Sequence, residues 1–318
     1  MTKQITISIF KNNKWRLVLQ VLAISSLISC GGNKTVSSEQ EDKAQELQQL
    51  VDSLVRDVPG TVGVAVITSE GDTVAVNNDV RYPLMSVFKL HEALAVAHEL
   101  DSRNQSLDSI MTLQRSQLSE TTWSPMLKDY PKGDLKISVG ELMRYILTVS
   151  DNNASNVLFD SIVSVSHTDS FIRNLGIPDS FRLQYTESQM QRDHAISYDN
   201  YSSPLSCAAL VKRVFTDSIV SQEKQDSIRQ WMGKCVSATD RMMAGVTTVD
   251  GARLYHRTGS GYTNERGEII AINDVGYIIM PDGRETALAI LVKDYPGEQS
   301  QADSLIASIT SSILQFIR

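Results

Sequence analysis

The sequence predicts an α/β (α+β) fold, an antiparallel five-stranded sheet flanked by terminal helices with a helical lobe inserted between its strands. Three observations carry this. Short β-type apolar runs lie near both ends of the sequence, at Val62–Ile67 and Thr73–Val76 and again at Arg253–Thr258, Ile269–Met280 and Thr286–Lys293. Helical periodicity dominates the interval from about Ser86 to Asp226. Amphipathic segments open and close the globular part, and a sheet buries its apolar faces by packing such segments against them. The 318 residues are 42% hydrophobic and 21% charged, which is ample for a full core. A formal net charge of -7, with no basic run beyond the first residues, argues against a nucleic-acid partner.

Taken in order, the chain opens with Lys3, Lys11, Lys14 and Arg16, followed by the apolar stretch Leu17–Ile28. Spanning a bilayer takes ~20 apolar residues, so this stretch reads as an export signal over 1–29 and stands apart from the fold. Its end, Leu27-Ile28-Ser29-Cys30-Gly31, resembles the lipobox of bacterial lipoproteins. That resemblance implies lipidation of Cys30 and a membrane-anchored protein of the periplasm. Residues 30–42 are polar and aperiodic, as a tether would be. From Lys43, the recurrence of Leu47, Leu50, Val51, Leu54, Val55 and Val58 predicts a helix, which Pro59-Gly60 stops. Glu70-Gly71-Asp72 turns the first strand into the second, and Pro281-Asp282-Gly283 turns the fourth into the fifth.

Helices are expected over Val87–Leu100, Ser138–Val149, Ala154–Val163, Ser206–Phe215 and Lys224–Met232, and a last one over Ala302–Ile317. Residues 43–82 and 234–318 thus make an α/β domain, residues 83–233 a helical one, and a cleft between them is the natural place for a ligand. Cys207 and Cys235 are free to pair in an oxidising compartment, but spacing alone does not decide it. No Cys-x-x-Cys or histidine cluster points to a metal, and no cofactor is expected. The five histidines are scattered, as structural ones are.

Three short motifs carry chemistry. Ser86-Val87-Phe88-Lys89 opens an apolar helix, and positions i and i+3 share a face, so the lysine amine can lie beside the serine hydroxyl. An alcohol needs a neighbouring base, and a lysine serves if burial lowers its pKa. Ser150-Asp151-Asn152 lies between two helices, where a hydroxyl can relay a proton and an amide can donate and accept. The same three residue types also cap helices. Arg257-Thr258-Gly259-Ser260 ends a strand, presenting a cation and hydroxyls to an anionic group, with a glycine that would let a ligand approach the backbone.

Together these motifs resemble the signature of class A serine β-lactamases and penicillin-binding proteins, on the serine β-lactamase/DD-peptidase-like fold. The resemblance extends over nearly all of the chain past the signal. It includes Asp151–Asn156, the Trp123-Ser124-Pro125 segment, Asn273-Asp274-Val275, and a Tyr185–Met190 stretch most like the Bacteroidetes-type and extended-spectrum branch. It implies a Ser86 acyl-enzyme, Lys89 or Glu187 as the acylation base, Ser150 as proton relay and Glu187 as activator of the deacylating water. It further implies substrate contacts from Asn152, Trp123, Gln191, Arg257, Thr258, Gly259 and Ser260, with Arg241 as a second cation.

Two departures stand out. Arg257 replaces the usual lysine, keeping the charge but unable to give up its proton. Gln191 replaces the usual asparagine after Glu187 and is one carbon longer. The expected substrate is a small β-lactam, with a lean towards cephalosporins, and the expected state is a monomer. Two alternatives stay open: a peptidoglycan D-alanyl-D-alanine peptidase, and a non-enzymatic lipoprotein that senses β-lactams or cell-wall peptides.

Overall fold

The computed structural model describes residues 38–178 and 180–318. The signal (1–29), Cys30 and most of the tether lie outside the described residues. Helix α1 (Ser38–Val55) starts five residues before Lys43, inside the stretch 30–42 that the sequence leaves aperiodic. Glu and Gln are good helix formers without an apolar stripe. The Gln40 amide also anchors this first turn, donating to Glu70 O at 3.1 Å and to Asp72 Oδ1 at 3.0 Å. Further along α1, Leu47, Val51 and Val55 recur at one face and are buried.

The sheet is the expected antiparallel one of five strands. They are β1 (Thr61–Thr68), β2 (Thr73–Val76), β3 (Arg253–Ser260), β4 (Ile269–Ile279) and β5 (Glu285–Tyr295), in spatial order β2-β1-β5-β4-β3. Strands from the two ends of the sequence meet at β1 and β5, with Val64 opposite Ile290 and Val66 opposite Leu288. Gly283, at φ +88°, takes the left-handed position in the β4–β5 turn.

Alternation sorts the side chains into two layers. Val62, Val64, Val66, Leu288, Ile290 and Val292 face α1 and the last helix, α10 (Gln299–Ile317). Ala65, Ile67, Ala287, Ala289 and Leu291 face the helical insertion. Burial on both faces is why these strands read as continuous apolar runs.

The insertion contributes α2 (Phe88–Ser102), α3 (Val139–Thr148), α4 (Asn152–Ser161), α5 (Val165–Asn174), α6 (Glu187–Arg192), α7 (Pro204–Thr216) and α8 (Gln222–Met232). A short α9 (Met242–Val246) precedes β3. α2 is its axis and is buried on every side, including Lys89, His91 and Glu92. The insertion is not wholly helical. Ile110–Leu113 pairs with Leu135–Ser138, and Tyr201–Ser202 joins Tyr82–Pro83 to Phe181–Arg182. Cys207 and Cys235 are both buried and free, so they form no bridge.

Candidate active site

Ser86 sits in a single 3-10 turn, Met85–Val87, that feeds straight into α2. Met85 takes φ +45°, a left-handed conformation unusual for a bulky side chain, and Ser150 does the same at φ +61°. Strain of this kind collects where a backbone must aim a functional group. Here it turns two serine hydroxyls towards the same lysine.

Lys89 lies at the centre, fully buried. Its Nζ donates to Ser86 Oγ at 3.0 Å, to Ser150 O at 3.1 Å, to Ser150 Oγ at 3.3 Å and to Asn152 Oδ1 at 2.6 Å. It also pairs with Glu187 Oε1 at 2.8 Å. Burial pulls its pKa below that of an ordinary lysine, with Arg257 adding to the effect and Glu187 opposing it. The Ser86 hydroxyl in turn donates directly to Glu187 Oε1 at 3.0 Å. The spacing expected from the sequence is thus realised, and Glu187 arrives from a loop 101 residues away to complete it.

That loop is held by its own polar contacts. Thr186 caps α6, accepting from Gln189 N, and the Gln189 side chain accepts from Thr186 N at 2.9 Å. Asn200 cross-braces the loop, accepting from Gln184 N and Tyr185 N and donating to Tyr185 O. Glu187 is the first residue of α6, where the helix dipole favours a carboxylate.

The Ser150-Asp151-Asn152 loop is organised by its middle residue. Asp151 caps α4 through Ala154 N at 2.9 Å, accepts from Met126 N at 2.7 Å, and takes the Ser124 hydroxyl on both oxygens. Asn152 meets Lys89 with its carbonyl and donates from its amide to Thr122 Oγ1 at 3.0 Å. Trp123, 59% exposed, stands at the rim and donates its indole N–H to Val149 O.

From the sheet side, Arg257 is fully buried, donates from Nε to Ser86 O at 2.9 Å, and reaches the Ser150 hydroxyl with Nη2. Ser86, Trp123, Ser150, Asn152, Glu187, Thr258, Gly259 and Ser260 line one cleft of about 790 Å³, with Tyr262, Ser237 and Ala238 on its far wall. That is enough volume for a small ligand.

Three expectations need correction. Gly259 lines the cleft, but a Cβ there would lie 2.5 Å from Leu84 O and 3.2 Å from Met85 Cβ, so what requires a glycine is the close approach of the Ser86 turn. Arg241 does not open onto the cleft. It is fully buried, paired with Asp303 at 2.6 Å, and donates to Gly259 O and Asn273 O. It touches the site only through Ser260 Oγ at 2.7 Å, because the oxygen-rich strand ends around it satisfy the guanidinium from behind. Gln191 does not line the Ser86 cleft either. Its longer arm carries the amide to Thr121 O at 3.3 Å, tying the loop to the Trp123 segment beside a second cavity.

Sequence reasoning missed several residues. Asp151 was legible as a helix cap, though not as the hub of four contacts. Glu92 is buried one turn past Lys89, accepts from Ser155 Oγ at 2.7 Å, and is held protonated far above the usual carboxylate range by burial. Nothing in the sequence pairs His256 with Asp274, whose carboxylate meets its Nδ1 at 2.9 Å from the neighbouring strand.

A fold of this topology, carrying a serine, a lysine, a serine–asparagine loop and a glutamate around one cleft, defines the class A β-lactamases. Comparison with known proteins agrees: the profile described as the β-lactamase enzyme family matches residues 43–317. A β-lactamase of Phocaeicola vulgatus is 40% identical, covering 96% of this chain and 97% of its own. The crystal structure of a class A β-lactamase from Bacteroides cellulosilyticus superposes with a TM-score of 0.81 at 29% identity, covering 86% of this chain and 98% of that one. That of the extended-spectrum β-lactamase TLA-3 gives 0.82 at 30% identity, over 86% and 99%. The chain belongs to the β-lactamase enzyme family, and within it to class A.

Proposed function

We propose that the protein hydrolyses β-lactams, the reaction of its family, through an ester on Ser86 that a Glu187-activated water cleaves. The observation that carries this is the direct contact of the Ser86 hydroxyl with Glu187 Oε1, while Lys89 bridges both groups to Ser150. In acylation Ser86 Oγ attacks the lactam carbonyl as its proton passes to Glu187. The ring nitrogen takes a proton from Ser150, which Lys89 resupplies, and Glu187 returns its proton to Lys89. The backbone N–H groups of Ser86 and Ser260 are the proposed oxyanion donors, each contributing roughly 3–4 kcal/mol.

The substrate carboxylate lies towards Thr258 and Ser260, with Arg257 behind them as a buried positive charge. Asn152 takes the side-chain amide, and Trp123 covers the rim. In deacylation a water beside Glu187 gives up its proton and attacks the ester. The proposal includes cephalosporins among the substrates, in keeping with the likeness to an extended-spectrum β-lactamase.

Export, lipidation of Cys30 and anchoring in the periplasm belong to the same proposal, and the Leu27–Gly31 segment supports them. A Cys30→Ala variant should lose its lipid mass and leave the membrane fraction.

The deciding experiment mixes the purified protein with many equivalents of a chromogenic cephalosporin and follows intact mass. Continuous turnover, with a transient adduct that Ser86→Ala abolishes, is the expected result. A single-equivalent burst that ends in a stable adduct would make the protein a peptidase or a sensor.

A further inference from the structure

The loop that carries Glu187 is held from two sides. On the helical side Ser188 N donates to Asn156 Oδ1 at 3.0 Å, and the Gln191 amide donates to Thr121 O. On the sheet side a cavity of about 720 Å³ opens between the loop, at Arg192 and Ala195, and the β3–β4 hairpin, at Thr263 and Asn264. Continuous packing therefore does not hold the loop there, and two ring contacts span the gap instead.

The first is a stack. The imidazole of His194, two residues past α6, lies on the Tyr262 phenol with centroids 3.5 Å apart and planes 10° from parallel. Tyr262 also lines the Ser86 cleft, and its carbonyl accepts from Ile270 N at 2.9 Å, which fixes it to β4. The second contact comes from Tyr198, whose hydroxyl donates to Asp294 Oδ1 on β5 while Lys293 Nζ lies 5.7 Å from its ring centroid. Asp294 stands at φ +50° and drops out of the pairing between Lys293–Ala271 and Tyr295–Ile269. A non-glycine residue in that region is costly, and such positions gather at functional sites.

Beneath the two tyrosines lies a small apolar cluster of Met85, Ile270 and Ala271, separate from the two main layers. Met85 precedes the nucleophile and is itself left-handed. The loop thus docks on the very turn that aims Ser86.

We propose that His194 and Tyr198 are positioning residues for deacylation, clasping the loop to Tyr262 and Asp294 and so holding Glu187 Oε1 at 3.0 Å from Ser86 Oγ. The inference rests on Glu187 as the deacylating base. Neither His194 nor Tyr198 lines the Ser86 cleft, so each acts through the carboxylate it helps to place. The two half-reactions respond differently. Acylation keeps Lys89, 3.0 Å from Ser86 Oγ on α2, which the loop does not carry. Deacylation depends on Glu187, and a misplacement of 1 Å costs about 100-fold.

The test follows decay of the acyl-enzyme by intact mass after a stoichiometric pulse of a chromogenic cephalosporin, in His194→Ala, Tyr198→Phe and His194→Phe. Decay in the first two should slow about 10- to 100-fold, with kcat and KM falling together and kcat/KM near wild type. His194→Phe keeps a ring against Tyr262 and should restore decay, which it could not do if the imidazole itself moved a proton. Tyr198→Phe deletes one oxygen and decides the matter alone if His194→Ala does not fold. Wild-type decay in the folded variants, or a loss of kcat at unchanged KM as from simple destabilisation, would overturn the clasp. Glu187→Gln, run alongside, separates the two ideas: slow decay there with wild-type decay in both clasp variants refutes the clasp alone, whereas wild-type decay in Glu187→Gln refutes the assignment of the base.

Discussion

Replacing Glu187 by Gln separates the two halves of the proposed cycle. The amide keeps the side chain's size and its place at the start of α6, but it cannot accept a proton. Loss of a positioned general base costs about 10²–10⁴-fold, or about 3–6 kcal/mol of barrier. The structure says where that loss falls. Glu187 Oε1 lies 3.0 Å from Ser86 Oγ and 2.8 Å from Lys89 Nζ, so its removal also takes away the carboxylate that opposes the effect of burial on Lys89. The buried amine then moves further towards its neutral form, 3.0 Å from Ser86 Oγ, where it can take the serine proton. Acylation therefore keeps a base while deacylation loses its own. Stopped-flow absorbance with a chromogenic cephalosporin should show a burst of one equivalent, then a steady rate about 10²–10⁴-fold below wild type. Intact mass should show the adduct on Ser86. Steady turnover at the wild-type rate with no adduct would refute the assignment of Glu187.

Four other substitutions follow from the same contacts. Arg257→Lys cannot reach Ser86 O and Ser150 Oγ together as the guanidinium does, so kcat/KM should fall about tenfold; steady-state kinetics that match wild type would contradict this. Asp151→Ala removes the α4 cap and the acceptor of Met126 N and the Ser124 hydroxyl. A loss of about 3 kcal/mol in urea unfolding is expected. His91, stacked on Phe181 and held by burial at about 4, is neutral in the folded protein, whereas the unfolded chain protonates it near 6.5. Its contribution is therefore full above about pH 6.5 and declines by about 3 kcal/mol as pH falls to about 4. His91→Phe should flatten that acid slope in denaturation curves. Asp303→Leu strands the Arg241 charge and should cost about 3–5 kcal/mol, and adding Arg241→Met should recover most of it; an additive pair would show the two do not interact.

The sheet was legible in the sequence because both of its faces are buried, which leaves unbroken apolar runs bounded by turn residues. The two short ribbons were not. Strands such as Tyr82–Pro83 and Tyr201–Ser202 are two residues long and carry no period. The Ser86–Lys89 contact was legible for a different reason: helix geometry sets a three-residue spacing locally. Contacts across the fold have no such marker. The sequence shows an arginine at 241 and an aspartate at 303, but only the packing of α10 on β4 and β5 puts them together behind Ser260 and away from the cleft. Gly259 shows the same limit. A glycine marks close approach, and the sequence does not say whether ligand or backbone approaches.

The arginine at 257 bears on which lysine chemistry the site can use. Two buried cations face one carboxylate, Glu187, near Ser86, so part of the positive charge is under pressure to leave. With a lysine at 257, either cation could yield its proton. A guanidinium does not deprotonate in proteins, so the pressure falls on Lys89 alone. Burial and Arg257 both lower the Lys89 pKa, with Glu187 the main group opposing them. Glu92 cannot relieve that pressure, because burial keeps its own carboxyl protonated. The substitution that looks conservative at the substrate end of the cleft thus also acts at the other end, where a permanent cation beside Lys89 lowers the pKa of the group the proposed cycle uses as proton carrier.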